Sequence, residues 1–359
     1  MAQQTWTIKG ILDWTQDYLG RHGDERSRYT AELLLTSVLG MTRVDLYTNF
    51  DRPLSQDELD RMHAAIVRRA KGEPVQYITG STGFRQLDII CEPGVLIPRP
   101  ETELLVSEVL EFLDKNVLHR AETVRAKSSL PWNADVEAAR AAQDRAARQE
   151  GAESAEDLVD VEGDRSADQG ASEAAAPVFG DALEPARVLE VGCGTGCISL
   201  SLAYERPGVV SCVATDINPH AVGLSRRNRE ALGISADAVD FREGDLVSPV
   251  SSGEAGSFDV LVSNPPYIPA GIMPQLPAEV VDYEPEEALV SGQDGLDMFR
   301  RLVSAAPQMV RPGGLFACEL FEGALEAAAQ ICRSAGMMDV RVVEDLTHRP
   351  RMVLARLAE

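Results

Sequence analysis

What this chain lacks narrows it first. No stretch of its 359 residues approaches the roughly 20 consecutive apolar positions that a bilayer-spanning helix needs. The opening MAQQTWTIKG has no apolar signal-peptide core, so a cytoplasmic protein without a membrane partner is expected. The six cysteines (Cys91, Cys193, Cys197, Cys212, Cys318, Cys332) form no CxxC pair and have no histidines at metal spacing. A metal site is therefore not expected, and the thiols read as free and buried in a reducing compartment. Basic excess is missing too: the formal net charge is −23. Much of that acidity is local. Residues 149–184 hold eleven Asp or Glu against the single Arg165, whereas residues 1–85 hold eleven residues of each sign. A free-standing nucleic-acid binder usually carries a basic footprint, so no direct nucleic-acid partner is expected.

What is present falls into four stretches. Residues 1–75 carry apolar positions at roughly helical spacing, such as Ile11, Leu12, Trp14 and Leu19, then Leu33, Leu34, Val38 and Leu39. Ser55, followed by Asp57 and Glu58, reads as the cap of an acidic first turn. A small helical domain is expected. Residues 76–119 begin with β-branched and aromatic residues broken by Gly80, Gly83 and Gly94, which predicts short strands and turns. Pro98 and Pro100 then lead into an amphipathic helix, ETELLVSEVLEFLDKNV. Residues 120–184 are rich in Ala, Glu, Asp, Ser and Gly; VEAARAAQDRAARQE suits a helix, and the remainder has too little apolar surface to offset ordering. From 185 to 359 strand and helix patterns alternate. Strand candidates are RVLEVGC, VVSCVATD, VDFREGD, FDVLVSN, GGLFACEL, DVRVVED and RMVLARL, with helices near 197–205, 218–232, 294–310 and 323–335. Such alternation predicts a doubly wound α/β sheet.

The first of these strands ends in Glu190-Val191-Gly192-Cys193-Gly194-Thr195-Gly196. Glycines there allow a tight turn and close approach of backbone to a ligand, which alone fits NAD, FAD or another nucleotide. Asp216 closes the second strand twenty residues beyond Gly196, where a carboxylate is placed to bind ribose hydroxyls. Asp245 follows the third strand, positioned to accept from an adenine amino group or simply to make a strand-end turn; Leu246 is placed to cover the ring. The GxGxG spacing and these two acids favour S-adenosylmethionine over a dinucleotide.

The fourth strand, FDVLVS, runs into Asn264-Pro265-Pro266-Tyr267 at the carboxyl edge of the sheet, where α/β folds bind ligands. A planar amide or aromatic amine is a poor nucleophile because its lone pair is delocalised. The Asn264 side-chain oxygen and the Pro265 carbonyl are suited to accept its two N–H bonds as positive charge grows on it. The prolines hold the backbone rigid and supply no competing N–H. Tyr267 is expected to pack over the flat substrate group.

With these residues in view, the chain resembles the release factor glutamine N5-methyltransferases. The resemblance is carried by Gly72-Glu73-Pro74-Val75-Gln76-Tyr77-Ile78-Thr79-Gly80, by Val95-Leu96-Ile97-Pro98-Arg99-Pro100-Glu101-Thr102-Glu103, and by EVGCGTG, TDINPHAV and SNPPYIP. Asp282-Tyr283-Glu284-Pro285-Glu286-Glu287-Ala288-Leu289 and Gly292-Gln293-Asp294-Gly295-Leu296 complete it. It implies a class I, Rossmann-like, seven-stranded S-adenosylmethionine-dependent methyltransferase domain behind an N-terminal helical domain that helps recognise a class 1 peptide chain release factor. It implies a substrate glutamine within Gly-Gly-Gln, held by Asn264 to Tyr267, and S-adenosylmethionine, released as S-adenosylhomocysteine, held by Gly192 to Gly196 with Asp216. A monomer is expected. Residues 98–103 read equally as a proline-led helix start or as part of the site. Glu319-Leu320-Phe321-Glu322-Gly323 stands where the family has Glu-x-Gly, which leaves Glu319 without an assigned role. Related enzymes methylate a ribosomal protein glutamine or an exocyclic base amine in DNA or RNA; the Arg-Pro-Glu-Thr-Glu run at 99–103 favours the release-factor class.

Overall fold

The computed structural model describes residues 5–118, 185–345 and 347–359. The acidic segment expected at 120–184, including its candidate helix, lies outside the described residues.

Four helices open the chain: α1 (Ile8–Arg21), α2 (Ser27–Leu39), α3 (Arg43–Thr48) and α4 (Gln56–Ala70). Their apolar stripes, including Ile8, Leu12, Leu19, Leu34, Leu35 and Met62, close on one another as a separate core. Ser55 caps α4 in a capping box: its hydroxyl accepts from the Glu58 amide at 3.3 Å and the Glu58 carboxylate accepts from the Ser55 amide at 2.8 Å.

The next stretch departs from the sequence expectation. Residues VQYIT, rich in β-formers, make a single helical segment, α5 (Val75–Thr79), rather than a strand. Pro74 starts the turn, Tyr77 points inward, and its hydroxyl donates to the Val95 carbonyl at 2.7 Å. Tertiary anchoring of Tyr77 outweighs the weak local preference. The expected hairpin follows, β1 (Ser81–Phe84) paired antiparallel with β2 (Leu87–Ile90). Arg85, in its turn, donates to the Ser107 hydroxyl at 2.7 Å and to the Glu103 carbonyl at 2.8 Å, both on or beside α6 (Thr102–Phe112).

The seven strands expected after residue 185 are all present: β3 (Ala186–Val191), β4 (Val210–Asp216), β5 (Val239–Glu243), β6 (Phe258–Ser263), β7 (Val310–Glu319), β8 (Met338–Glu344) and β9 (Pro350–Arg356). They form one sheet in the order β5-β4-β3-β6-β7-β9-β8. The first five are parallel, and β9 runs antiparallel to both β7 and β8. On one face lie α6, α7 (Cys197–Glu205) and α8 (Pro219–Ala231), burying Leu105, Val109, Ile198, Leu202 and Val222 against the strands. The short α9 (Ala278–Val281) sits in the loop after β6. Beyond it, α10 (Asp297–Met309) and α11 (Leu325–Ser334) cover the other face with Phe299, Leu302 and Ala328.

Strand β3 has β4 on one side and β6 on the other, so chain order reverses there. This switch point opens a crevice at the carboxyl ends of β3, β4 and β6. Ser263 ties the end of β6 to that of β3 by donating to the Val191 carbonyl at 2.6 Å. The helical domain is fastened to the loop over the crevice: Arg69 of α4 pairs with Glu279 at 2.8 Å, and the Tyr283 hydroxyl donates to the Lys71 carbonyl at 3.0 Å. All six cysteines are buried free thiols, as expected. Among the described residues no helix is long and apolar enough to cross a membrane.

Candidate active site

A cleft of about 1040 Å³, measured out to its open mouth, lies at this switch point. Its floor is the turn from β3 into α7. Gly192, Gly194 and Gly196 all take positive φ angles, of 73°, 54° and 82°. Gly196 is further constrained by packing, since a Cβ there would lie 2.8 Å from Phe241 of β5 and 3.0 Å from Ser225 of α8. The turn is held by the Thr215 carbonyl, which accepts from the amides of Gly192 and Cys193 at 2.8 and 3.0 Å.

Asp216 sits at the end of β4 facing this turn. Its carboxylate accepts from the Gly194 amide at 2.8 Å and from the Asn218 amide at 2.9 Å. Burial lifts its pKa above the ordinary aspartate value, while the backbone donors oppose the shift. Asp245 and Leu246, after β5, line the same cleft. Asp245 is half-exposed and paired with Arg301 of α10 at 2.6 Å. A surface pair of this kind is worth little, so it leaves the Asp245 carboxylate available to a stronger partner.

Asn264, Pro265 and Pro266 form the opposite wall. The Asn264 Nδ2 donates to the Thr102 hydroxyl at 3.0 Å, and that hydroxyl donates to Glu319 Oε2 at 2.7 Å. The other amide atom, Asn264 Oδ1, is buried with no partner. Orphaned buried acceptors are few in folded proteins and call for an explanation. Tyr267 follows Pro266 in the chain. It is absent from the cleft lining, packs partly buried against the core, and points its hydroxyl to Glu319 Oε1 at 3.4 Å. The Tyr267 and Ile268 amides both donate to the Leu289 carbonyl, at 3.1 and 2.7 Å.

Three site residues were not assigned from the sequence. Glu190, only 1% exposed, lines the cleft below the glycine turn. Its Oε2 accepts from the Ser199 amide at 3.0 Å and from the Ser199 hydroxyl, and its Oε1 has no partner. Burial pushes this carboxyl up to about 8. Glu319, set aside for want of a matching glycine, is 2% exposed at the end of β7 and pushed by burial up to about 7. Thr102 joins it to Asn264. Of residues 98–103, Pro98, Arg99 and Thr102 line the cleft, and Arg99 pairs with the buried Glu284 at 2.7 Å. The stretch is thus both a helix start and a wall of the cleft.

Comparison with known proteins agrees with this architecture. Residues 10–80 match the family model of the PrmC N-terminal domain, and residues 164–275 match that of the methyltransferase small domain. The strand order, the glycine turn after β3 and the small-domain match define a class I S-adenosylmethionine-dependent methyltransferase, and the chain is an enzyme of that class. Its relatives place it further. It is 34% identical over 354 residues to the release factor glutamine methyltransferase of Geobacter sulfurreducens, covering 99% of this chain and 98% of the relative. The enzymes of the same name from Chlorobaculum tepidum and Clostridium acetobutylicum are each 31% identical, over 96% and 97% of this chain and 95% and 98% of theirs. The chain belongs to the release factor glutamine methyltransferase family.

Proposed function

We propose that this enzyme methylates the side-chain amide nitrogen, N5, of the glutamine in the Gly-Gly-Gln motif of class 1 peptide chain release factors. The observation that carries the reading is the buried, unpartnered Asn264 Oδ1 in the wall of the cleft, next to the Pro265 backbone. A primary amide nitrogen brings two N–H donors, and Asn264 Oδ1 with the Pro265 carbonyl offers two acceptors. Accepting both draws the nitrogen lone pair out of conjugation and stabilises the positive charge that develops on it. Fixing the nitrogen in the cleft adds the proximity contribution.

S-adenosylmethionine, when bound, supplies an electrophilic methyl group on sulfonium sulfur. The glycine turn and Asp216 fit its amino-acid and ribose portions, Asp245 and Leu246 fit the adenine, and Glu190 Oε1 is a further unpartnered polar atom lining the same cleft. As the nitrogen–carbon bond forms, the carbon–sulfur bond breaks and S-adenosylhomocysteine leaves. The methylated nitrogen then releases its proton to water without a strong base. The balanced charge of residues 1–85 and their match to the PrmC N-terminal domain support a protein substrate over nucleic acid, and a cytoplasmic monomer fits this role.

The test is transfer of labelled methyl from S-adenosylmethionine to purified release factor, beside a copy carrying Gly-Gly-Ala. Label on the first alone is expected. Equal label on both, or label only on ribosomal protein or nucleic acid, would contradict the assignment.

A further inference from the structure

Asn264 serves the proposed reaction only if its oxygen, and not its NH2, faces the substrate. The two ends of a carboxamide are nearly the same shape, so sterics alone do not choose between them. The choice is made by a chain of hydrogen bonds behind the cleft wall. Glu319, as a carboxylate, accepts only. The Thr102 hydroxyl gives its proton to Glu319 Oε2 at 2.7 Å, so its oxygen has lone pairs left and no proton to offer Asn264. It therefore takes an N–H from Asn264, at 3.0 Å, and Oδ1 is left unpartnered in the cleft wall.

We infer that Thr102 and Glu319 are positioning residues, which act through this relay to hold the Asn264 side-chain oxygen toward the substrate amide. The inference rests on the glutamine-methylating reading of the cleft. Thr102 stands at the start of α6 and Glu319 at the end of β7, both at most 2% exposed, so solvent does not offer either group a substitute partner.

The relay carries its own switch. The groups facing Glu319 are Thr102 and Glu101 from the start of α6, Tyr267 from the loop after β6, and Arg351 from β9. Burial and Glu101 oppose its ionisation, and Thr102, Arg351 and Tyr267 favour it. Once protonated, Glu319 becomes a donor to Thr102. The Thr102 hydroxyl then has its own proton to give, and Asn264 is satisfied by turning over, which presents NH2 to a substrate that itself brings only N–H. Turnover falls on the acid side, while cofactor binding holds.

The experiment compares Thr102→Val, Thr102→Ser, Glu319→Leu and Glu319→Gln with wild type in kcat, KM for release factor, cofactor affinity and the pH profile of kcat. Thr102→Val and Glu319→Leu are expected to lose about 10- to 100-fold in kcat with cofactor affinity within about twofold. Thr102→Ser restores the hydroxyl and Glu319→Gln the acceptor, so each recovers most of the rate, and Glu319→Gln loses the acid limb. Loss of kcat and cofactor affinity in parallel, or no loss, would overturn the inference. A readout free of activity is the side-chain amide resonance of Asn264, assigned through Asn264→Asp: it should follow the Glu319 titration in wild type and shift in Thr102→Val. A resonance indifferent to both would also overturn it. If wild type methylates no release factor, the functional reading fails by itself, and the resonance still decides the relay.

Discussion

Two buried carboxyls give the site its character at the scale of single residues. Glu190 and Glu319 are both pushed above the ordinary glutamate value by loss of water, to about 8 and about 7. Between the ordinary value and these, the folded chain holds protons that the unfolded chain has released. Stability therefore falls as pH rises through that window, by about 1.4 kcal/mol per pH unit for each such proton. Glu190→Gln is expected to remove its share of this slope in denaturant titrations between pH 5 and pH 8; an unchanged slope would mean the carboxyl is ionised throughout. That Gly192, Asp216, Asp245 and Asn264 line one cleft was legible in the sequence because each lies at or next to a strand end in the chain. Thr102 and Glu319 were not, because their contact joins positions 217 residues apart and only the folded sheet brings them together. The direction of the Tyr267 hydroxyl, toward Glu319 at 3.4 Å, was not legible for the same reason.

Elements position these residues by close packing. The loop carrying Asn264 to Tyr267 is backed by Gly295, where a Cβ would lie 2.3 Å from the Tyr267 carbonyl oxygen at a φ of 80°. Gly295→Ala should therefore destabilise the fold by about 1–3 kcal/mol, and kcat should fall more than cofactor affinity. Calorimetric melting and turnover on the same preparation test both halves. By contrast Ser55→Ala removes a cap remote from the cleft, and should cost about 1 kcal/mol with turnover per folded molecule unchanged. The strands after residue 185 were legible because each is a run of β-formers bounded by turn residues, with helical patterns between. α5 was not, because its helix depends on Pro74 and on the burial of Tyr77, neither of which alters the local β preference of VQYIT.

At the scale of the whole molecule, two links among the described residues join the helical domain to the loop after β6, Arg69 to Glu279 and Tyr283 to the Lys71 carbonyl. Both reach the loop after β6, of which Pro285, Glu287 and Ala288 line the cleft. By composition, residues 125–180 are rich in Ala, Glu, Asp, Ser and Gly and hold few large apolar side chains. Deleting 125–180 is accordingly expected to leave turnover on release factor nearly unchanged; a soluble deletion variant without activity would show that the acidic segment contributes to docking.

The central claim is that the free oxygen of Asn264 receives the substrate amide. The measurement that tests it most directly is kcat on release factor and cofactor affinity, side by side, for Asn264→Ala. For Asn264→Ala, kcat is expected to fall by about 100-fold or more, with S-adenosylmethionine bound almost as in wild type. Retained turnover, or loss of both together, would contradict it.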